Sequence, residues 1–217
     1  MIEIYKEKEP FIGELQAIVT LPDGFDPSKE SLPILFFFHG KGERRSLESI
    51  TGTGLPMLFH EDQNYRGLRV ITVSPWCPEP YIWMNLHLPV FDFIEKAVKH
   101  YNADESRISV TGLSMGGYMT WDLITMHPGY FSAAAPICGG GIRWMSEQIV
   151  TPIRAFHGSK DDAVPIGKSI EMVELAAKNG TPAELTVFPG VDHCSWNKAY
   201  METNVIEWLV SSRRAEK

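Results

Sequence analysis

The stretch Arg107-Ile108-Ser109-Val110-Thr111-Gly112-Leu113-Ser114-Met115-Gly116-Gly117-Tyr118-Met119 decides the fold. Its opening residues carry Ile108 and Val110 at alternate positions, as a buried strand does, and Tyr118, Met119 and Leu123 then recur at helical spacing. Between strand and helix lies Gly-x-Ser-x-Gly over 112–116. A turn that sharp has no room for side chains two places before or after the serine, and Gly112 and Gly116 meet that need. Such a turn lifts the Ser114 hydroxyl off the sheet and sets it at the start of a helix, whose free amides favour developing negative charge. Ser114 is the candidate nucleophile.

Working outward, short apolar runs alternate with longer amphipathic ones, the pattern of parallel strands buried under crossover helices. Strands are expected near Leu15–Thr20, Pro33–Phe38, Arg69–Val73, Arg107–Thr111, Ala133–Ile137, Ile153–His157 and Glu184–Phe188. Helices are expected over Pro89–Tyr101, with Val90, Ile94, Ala97 and Tyr101 on one face; over Pro165–Asn179, with Ile166, Ile170, Val173 and Ala177; and over Asn197–Val210, with Met201, Val205, Trp208 and Leu209. Segments 41–67, 78–88 and 139–151 lack a period and read as loops or short helical turns. The expected fold class is α/β, a mostly parallel central sheet flanked by helices. No repeat or Gly/Ser linker interrupts it, so residues 1–217 read as a single domain with no large cap. In such a sheet the crevice opens beyond the carboxyl ends of the strands.

Three constellations fall at those ends. The most apolar run, Ile34-Leu35-Phe36-Phe37-Phe38, leads into His39-Gly40-Lys41-Gly42. In acyl transfer a carbonyl oxygen becomes an anion, and a backbone N–H aimed at it is worth roughly 3 kcal/mol. The Lys41 N–H, together with that of Met115 after the nucleophile, is the candidate donor pair of an oxyanion hole. His39, directly after a buried strand, is read as tying down its own loop. His157-Gly158-Ser159-Lys160-Asp161-Asp162 follows a strand and precedes a helix; one of its two aspartates is the candidate acid that orients the base, and the spacing does not choose between them. His193 lies after the last strand and before the last helix. The order serine, aspartate, histidine, each just past a strand, is the order this architecture requires of a catalytic triad.

His60, His87, His100 and His127 sit in loops or at helix edges with no matching carboxylate arrangement, and no two histidines are spaced as metal ligands on one helix face. No metal and no cofactor are expected. Trp76, Trp83, Trp144 and Trp196 fall in irregular segments near the site, and Trp76, Trp83 and Trp196 are candidate substrate-binding residues.

With these pieces in place the sequence closely resembles the phospholipase/carboxylesterase branch of the α/β-hydrolase superfamily, including its dienelactone-hydrolase-like esterases and peptidase-like members. The resemblance rests on His39-Gly40-Lys41-Gly42-Glu43-Arg44, Ser74-Pro75-Trp76-Cys77-Pro78, Val110 to Tyr118, Ala135-Pro136-Ile137-Cys138-Gly139-Gly140, His157 to Pro165 and Asp192-His193-Cys194-Ser195-Trp196, and spans nearly the whole chain. It implies that the acid is the fifth residue of His-Gly-x-x-Asp, which is Asp161. The chain departs from similar proteins at Trp76, where they commonly carry glutamine, and at Arg45, where they often carry glycine. The resemblance implies a serine carboxylesterase acting on small to medium esters through an acyl-enzyme. A serine peptidase or an acyl thioesterase would use the same residues, and a ligand-binding module without turnover would have no reason to keep them all.

Composition narrows the classes further. A net charge of −7 among 217 residues, with no basic stripe, argues against nucleic acid or an anionic membrane as partner. The small-molecule ester is the expected partner. Three cysteines, Cys77, Cys138 and Cys194, do not make a disulfide framework, and Cys194 has no basic neighbour in sequence to activate it. The amino terminus alternates charged with apolar residues and lacks the continuous apolar run of a signal sequence, so a cytoplasmic, reducing location is expected.

Overall fold

The computed structural model describes residues 1–214. In chain order its elements are strands β1 (Ile2–Glu9), β2 (Gly13–Thr20) and β3 (Ile34–Phe38), helix α1 (Gly54–Glu61), β4 (Ile71–Pro75), α2 (His87–His100), β5 (Ile108–Leu113), α3 (Met115–Met126), β6 (Ala133–Ile137), β7 (Ile153–Gly158), α4 (Gly167–Lys178), β8 (Ala183–Phe188), α5 (Trp196–Glu202) and α6 (Val205–Ser211). The strands form one eight-stranded sheet in the order β1-β2-β4-β3-β5-β6-β7-β8. The pairings of β1 with β2 and of β2 with β4 are antiparallel; the rest are parallel. This is the α/β-hydrolase fold. No described helix is long and apolar enough to cross a membrane.

The two-residue period of a strand explains both layers of core. Ile34, Phe36 and Phe38 of β3 face one side and pack with Val90, Phe93 and Ile94 of α2 and Met119 and Leu123 of α3. Leu35 and Phe37 face the other side and pack with Leu55 and Phe59 of α1 and Ile206 and Leu209 of α6. A strand buried on both faces favours apolar residues throughout, and β3, apolar at every position, is fully buried along its length.

Four expectations need correction. The amino-terminal segment, read only as lacking a signal sequence, is a full strand. Its apolar Ile2 and Ile4 are exposed while Tyr5 and Glu9 are buried, so hydropathy did not reveal the alternation. Helix α4 buries Ser169, Met172, Val173 and Ala176, whereas Ile170 and Ala177 face outward. The Ser169 hydroxyl explains the rotation: it donates to the Gly139 carbonyl (3.0 Å) and lies 2.8 Å from His157 Nδ1, a polar contact that holds its face inward. The helix expected over Asn197–Val210 is two. Thr203 is extended (φ −121°, ψ 175°); its hydroxyl donates to Ala199 O (2.5 Å) and accepts the Val205 N–H (3.1 Å). Arg66 takes up the freed carbonyls of Met201 and Thr203 at 2.7 and 3.0 Å. Met201 accordingly points to solvent, and Ala199, Tyr200, Val205, Ile206 and Leu209 make the buried face. Finally, β4 starts two residues later than expected, at Ile71.

Candidate active site

Ser114 stands between β5 and α3 with φ +53° and ψ −116°, a left-handed backbone that costs an L-residue about 1–3 kcal/mol. Neighbouring glycines make that turn possible by letting backbones touch. A Cβ on Gly116 would lie 1.8 Å from the Phe38 carbonyl oxygen, and one on Gly112 would lie 2.4 Å from the Gly116 oxygen. The Ser114 N–H donates to Ile137 O (3.0 Å), and its carbonyl accepts the Tyr118 N–H (3.0 Å), which starts the helix.

His193, on the loop between β8 and α5, reaches this serine. Its Nε2 is 2.8 Å from Ser114 Oγ and its Nδ1 is 2.7 Å from Asp161 Oδ2. The Asp161 carboxylate, after β7, is fully buried and also accepts the N–H groups of Ala163 (3.0 Å) and Val164 (2.8 Å). Burial opposes its ionisation, but the hydrogen bonds from His193 and Val164 outweigh that penalty and hold it below the usual carboxylate range. Asp162, its neighbour, is exposed. The structure thus brings Ser114, His193 and Asp161 together and leaves Asp162 outside.

The β3 loop closes over the same point. A Cβ on Gly40 would lie 3.6 Å from the Ser114 Cβ, so this segment abuts the serine. Lys41 and Met115 are the first residues of a 3₁₀ turn (Lys41–Arg45) and of α3, positions whose amides have no acceptor within the helix. His39 is buried and ties down its surroundings as expected: Nε2 accepts the Cys77 N–H at 3.0 Å and Nδ1–H donates to Gly40 O at 2.6 Å. Burial pushes its pKa down to about 4, so it stays neutral.

The tryptophans separate. Trp196 lies edge-on to His193, ring centres 5.6 Å apart. Trp76 is partly buried beside the end of β4, its indole N–H without a partner. Trp83 corrects its expected role: it is fully buried, packs edge-on to Phe38 and donates Nε1–H to His39 O at 2.9 Å, so it supports the loop and does not line an open crevice. Trp144 is 81% exposed, the most of the large hydrophobic residues among the described ones.

Two further histidine contacts flank these elements. His157 is buried beside Asp161, its Nε2 2.9 Å from Val164 O and 3.1 Å from Asp161 Oδ2, where it steadies the acid loop. His87 is bonded through Nδ1 to the Asp122 carboxylate, which corrects the expectation that it has no carboxylate partner, and through Nε2 to His127 Nε2 (2.9 Å). The first was signalled by His-Gly-x-x-Asp. The second joins residues 35 and 40 positions apart and left no local signal.

Cys138, Asp161 and His193 offer ligand atoms within 4.8 Å of one another. Asp161 and His193 are already engaged with each other, and burial pushes the Cys138 thiol up to about 12, away from the thiolate a metal needs. Cys194 is exposed, and its pKa is raised by desolvation and by nearby carboxylates, which does not suit a reactive thiol.

The sequence pattern of the dienelactone hydrolase family matches residues 83–205. Among solved structures, a thermostable esterase superposes with a TM-score of 0.86 at 32% identity, over 98% of this chain and 63% of that one. Thermogutta terrifontis esterase 2 superposes with a TM-score of 0.72 at 15% identity, over 98% and 97%, a likeness of fold alone. A bifunctional acetylxylan esterase/xylanase of Neocallimastix patriciarum is 33% identical over 91 residues, 42% of this chain and 13% of that protein. The chain therefore spans less than two thirds of the thermostable esterase and a small part of this curated relative.

Proposed function

Because the chain belongs to the dienelactone hydrolase family, we propose that it is a serine carboxylesterase, hydrolysing small to medium carboxylic esters through an acyl-enzyme on Ser114. The observation that carries this reading is the continuous chain of hydrogen bonds from Ser114 Oγ through His193 to buried Asp161, at 2.8 and 2.7 Å.

His193 Nε2 takes the Ser114 proton as Oγ attacks the ester carbonyl. The Nδ1–H bond to Asp161 fixes the tautomer that leaves Nε2 free to accept, and stabilises the imidazolium that forms. The Lys41 and Met115 N–H groups receive the oxyanion, each worth about 3 kcal/mol in the transition state. His193 then protonates the departing alcohol. Water, deprotonated by the same nitrogen, attacks the acyl-serine and releases the acid.

The test is hydrolysis of a chain-length series of p-nitrophenyl esters by the wild type and by Ser114→Ala. Turnover of short esters by the wild type, with the variant at background, is the expected result. Equal rates in wild type, variant and buffer would end the esterase reading and move peptides or thioesters into its place.

A further inference from the structure

The turn after β3 holds a carboxyl group that this chemistry leaves unused. Glu43 lies two residues past Lys41, and its backbone is pinned on both sides. Ser49 Oγ donates to the Glu43 carbonyl at 2.5 Å. Arg44 donates to Lys41 O (3.2 Å) and Tyr81 O (3.1 Å) and pairs with Glu79 at 3.2 Å, so its charge is spent away from its neighbour. The Glu43 side chain is therefore held in place without a cation of its own among the described residues.

Glu43 Oε2 is buried and no group meets it in a hydrogen bond of good geometry, although the backbone amides of Glu43 and Gly40 lie near enough to the carboxyl to favour its ionised form. Its location gives that vacancy meaning. A Cβ on Gly40 would lie 3.1 Å from Glu43 Oε2 and 3.6 Å from Ser114 Cβ, so carboxyl and nucleophile face the same side of one glycine. The same flank of Gly40 also meets Leu113, whose Cδ1 would lie 2.8 Å from that Cβ. Buried polar atoms are almost always paired, and one left open beside a nucleophile is a place for a substrate atom. Burial raises the Glu43 pKa by more than the nearby Glu43 and Gly40 amides lower it.

We propose that Glu43 Oε2 accepts a hydrogen bond from a free hydroxyl on the alcohol part of the substrate, a carbon or two from the scissile ester oxygen, making partial esters of polyols or sugars the preferred class. The proposal rests on the serine esterase reading above and assigns Glu43 to specificity.

The experiment compares kcat/KM on 2-hydroxyethyl acetate with that on propyl acetate, which replaces the hydroxyl by methyl, for the wild type, Glu43→Gln and Glu43→Leu. A wild-type preference for the hydroxy ester of about tenfold or more is expected, as one desolvated hydrogen bond supplies. Glu43→Leu brings the ratio close to one, and Glu43→Gln, which still carries an acceptor oxygen, keeps part of it. Because the readout is a ratio within one protein, a variant that folds poorly lowers both rates and leaves it intact; if Glu43→Leu gives no protein, the wild-type and Glu43→Gln ratios decide. Wild-type p-nitrophenyl acetate activity without a hydroxyl preference, or a preference that survives Glu43→Leu, overturns the role of Glu43 and leaves the esterase reading standing. Absence of p-nitrophenyl acetate hydrolysis brings down both.

Discussion

At the residue scale, the two aspartates after β7 are told apart by burial and by the partners that burial brings. Asp161 is enclosed and bonded to His193, and Asp162 faces solvent. Asp161→Asn is expected to lower kcat on p-nitrophenyl acetate by about 10³-fold or more, since an amide can present its N–H to Nδ1 and favour the wrong tautomer. Asp162→Asn should stay within about twofold of wild type; equal losses in steady-state assays of the two would show the orienting acid to be misassigned. Ser114 and His193 were legible in the sequence because each sits in a short motif at a strand end, and the choice of Asp161 came only through resemblance. Glu43 and the His87–Asp122–His127 contacts were not singled out, because what distinguishes them is a partner, or the lack of one, supplied by another part of the chain; His157 lies within the acid's own motif, and only its burial shows what it touches.

At the element scale, helix α3 rests on the sheet by bare backbone. Gly116→Ala would drive a methyl into the Phe38 carbonyl, which no rotamer change relieves. It should destabilise the protein by more than about 3 kcal/mol, or leave none soluble. Gly167→Ala is the counterpart: at the first turn of α4 a Cβ meets nothing within 4 Å, and urea unfolding should show a gain of about 0.5–1 kcal/mol. A stable Gly116→Ala protein would mean that helix and sheet sit farther apart than described. Strand β3 was readable from its continuous apolar run, β5 from the alternation of Ile108 and Val110, and the turn between β5 and α3 because its sharpness forces glycine. The phase of α4 was not, since a buried serine holds its inner face, and neither was the break at Thr203, which is made by a side-chain hydroxyl and a distant arginine. β1 hid because an edge strand exposes the very residues that hydropathy counts as core.

At the scale of the whole molecule, acid should weaken the fold before it reaches the carboxylates. Burial lowers the pKa of His39 to about 4, and burial with the neighbouring His87 lowers that of His127 to about 4, against an ordinary 6.5. Between those values the unfolded chain binds protons that the folded one refuses, so stability is complete above about pH 6.5 and falls as pH drops toward 4. The slope reaches at most about 1.4 kcal/mol per pH unit for His39 and less for half-buried His127, which solvent screens. Urea midpoints at pH 7, 5.5 and 4.5 should decline in that order, and His39→Gln, though less stable, should show the shallower decline; a flat profile in the wild type would contradict the neutral burial of His39. Below pH 4 a second loss follows. Asp104 is partly buried, yet hydrogen bonds from Ser106 and Arg107 bring its pKa to about 2, so its contribution is complete above the ordinary 3.8 and is lost between there and about 2. The glycine contact between α3 and the sheet matters at this scale too. The attacking oxygen is located by main chain against main chain, without reference to the volumes of the side chains around it. A lineage can therefore rewrite the loops that choose the ester, and exchange much of its core, while the site of bond-making is inherited unchanged.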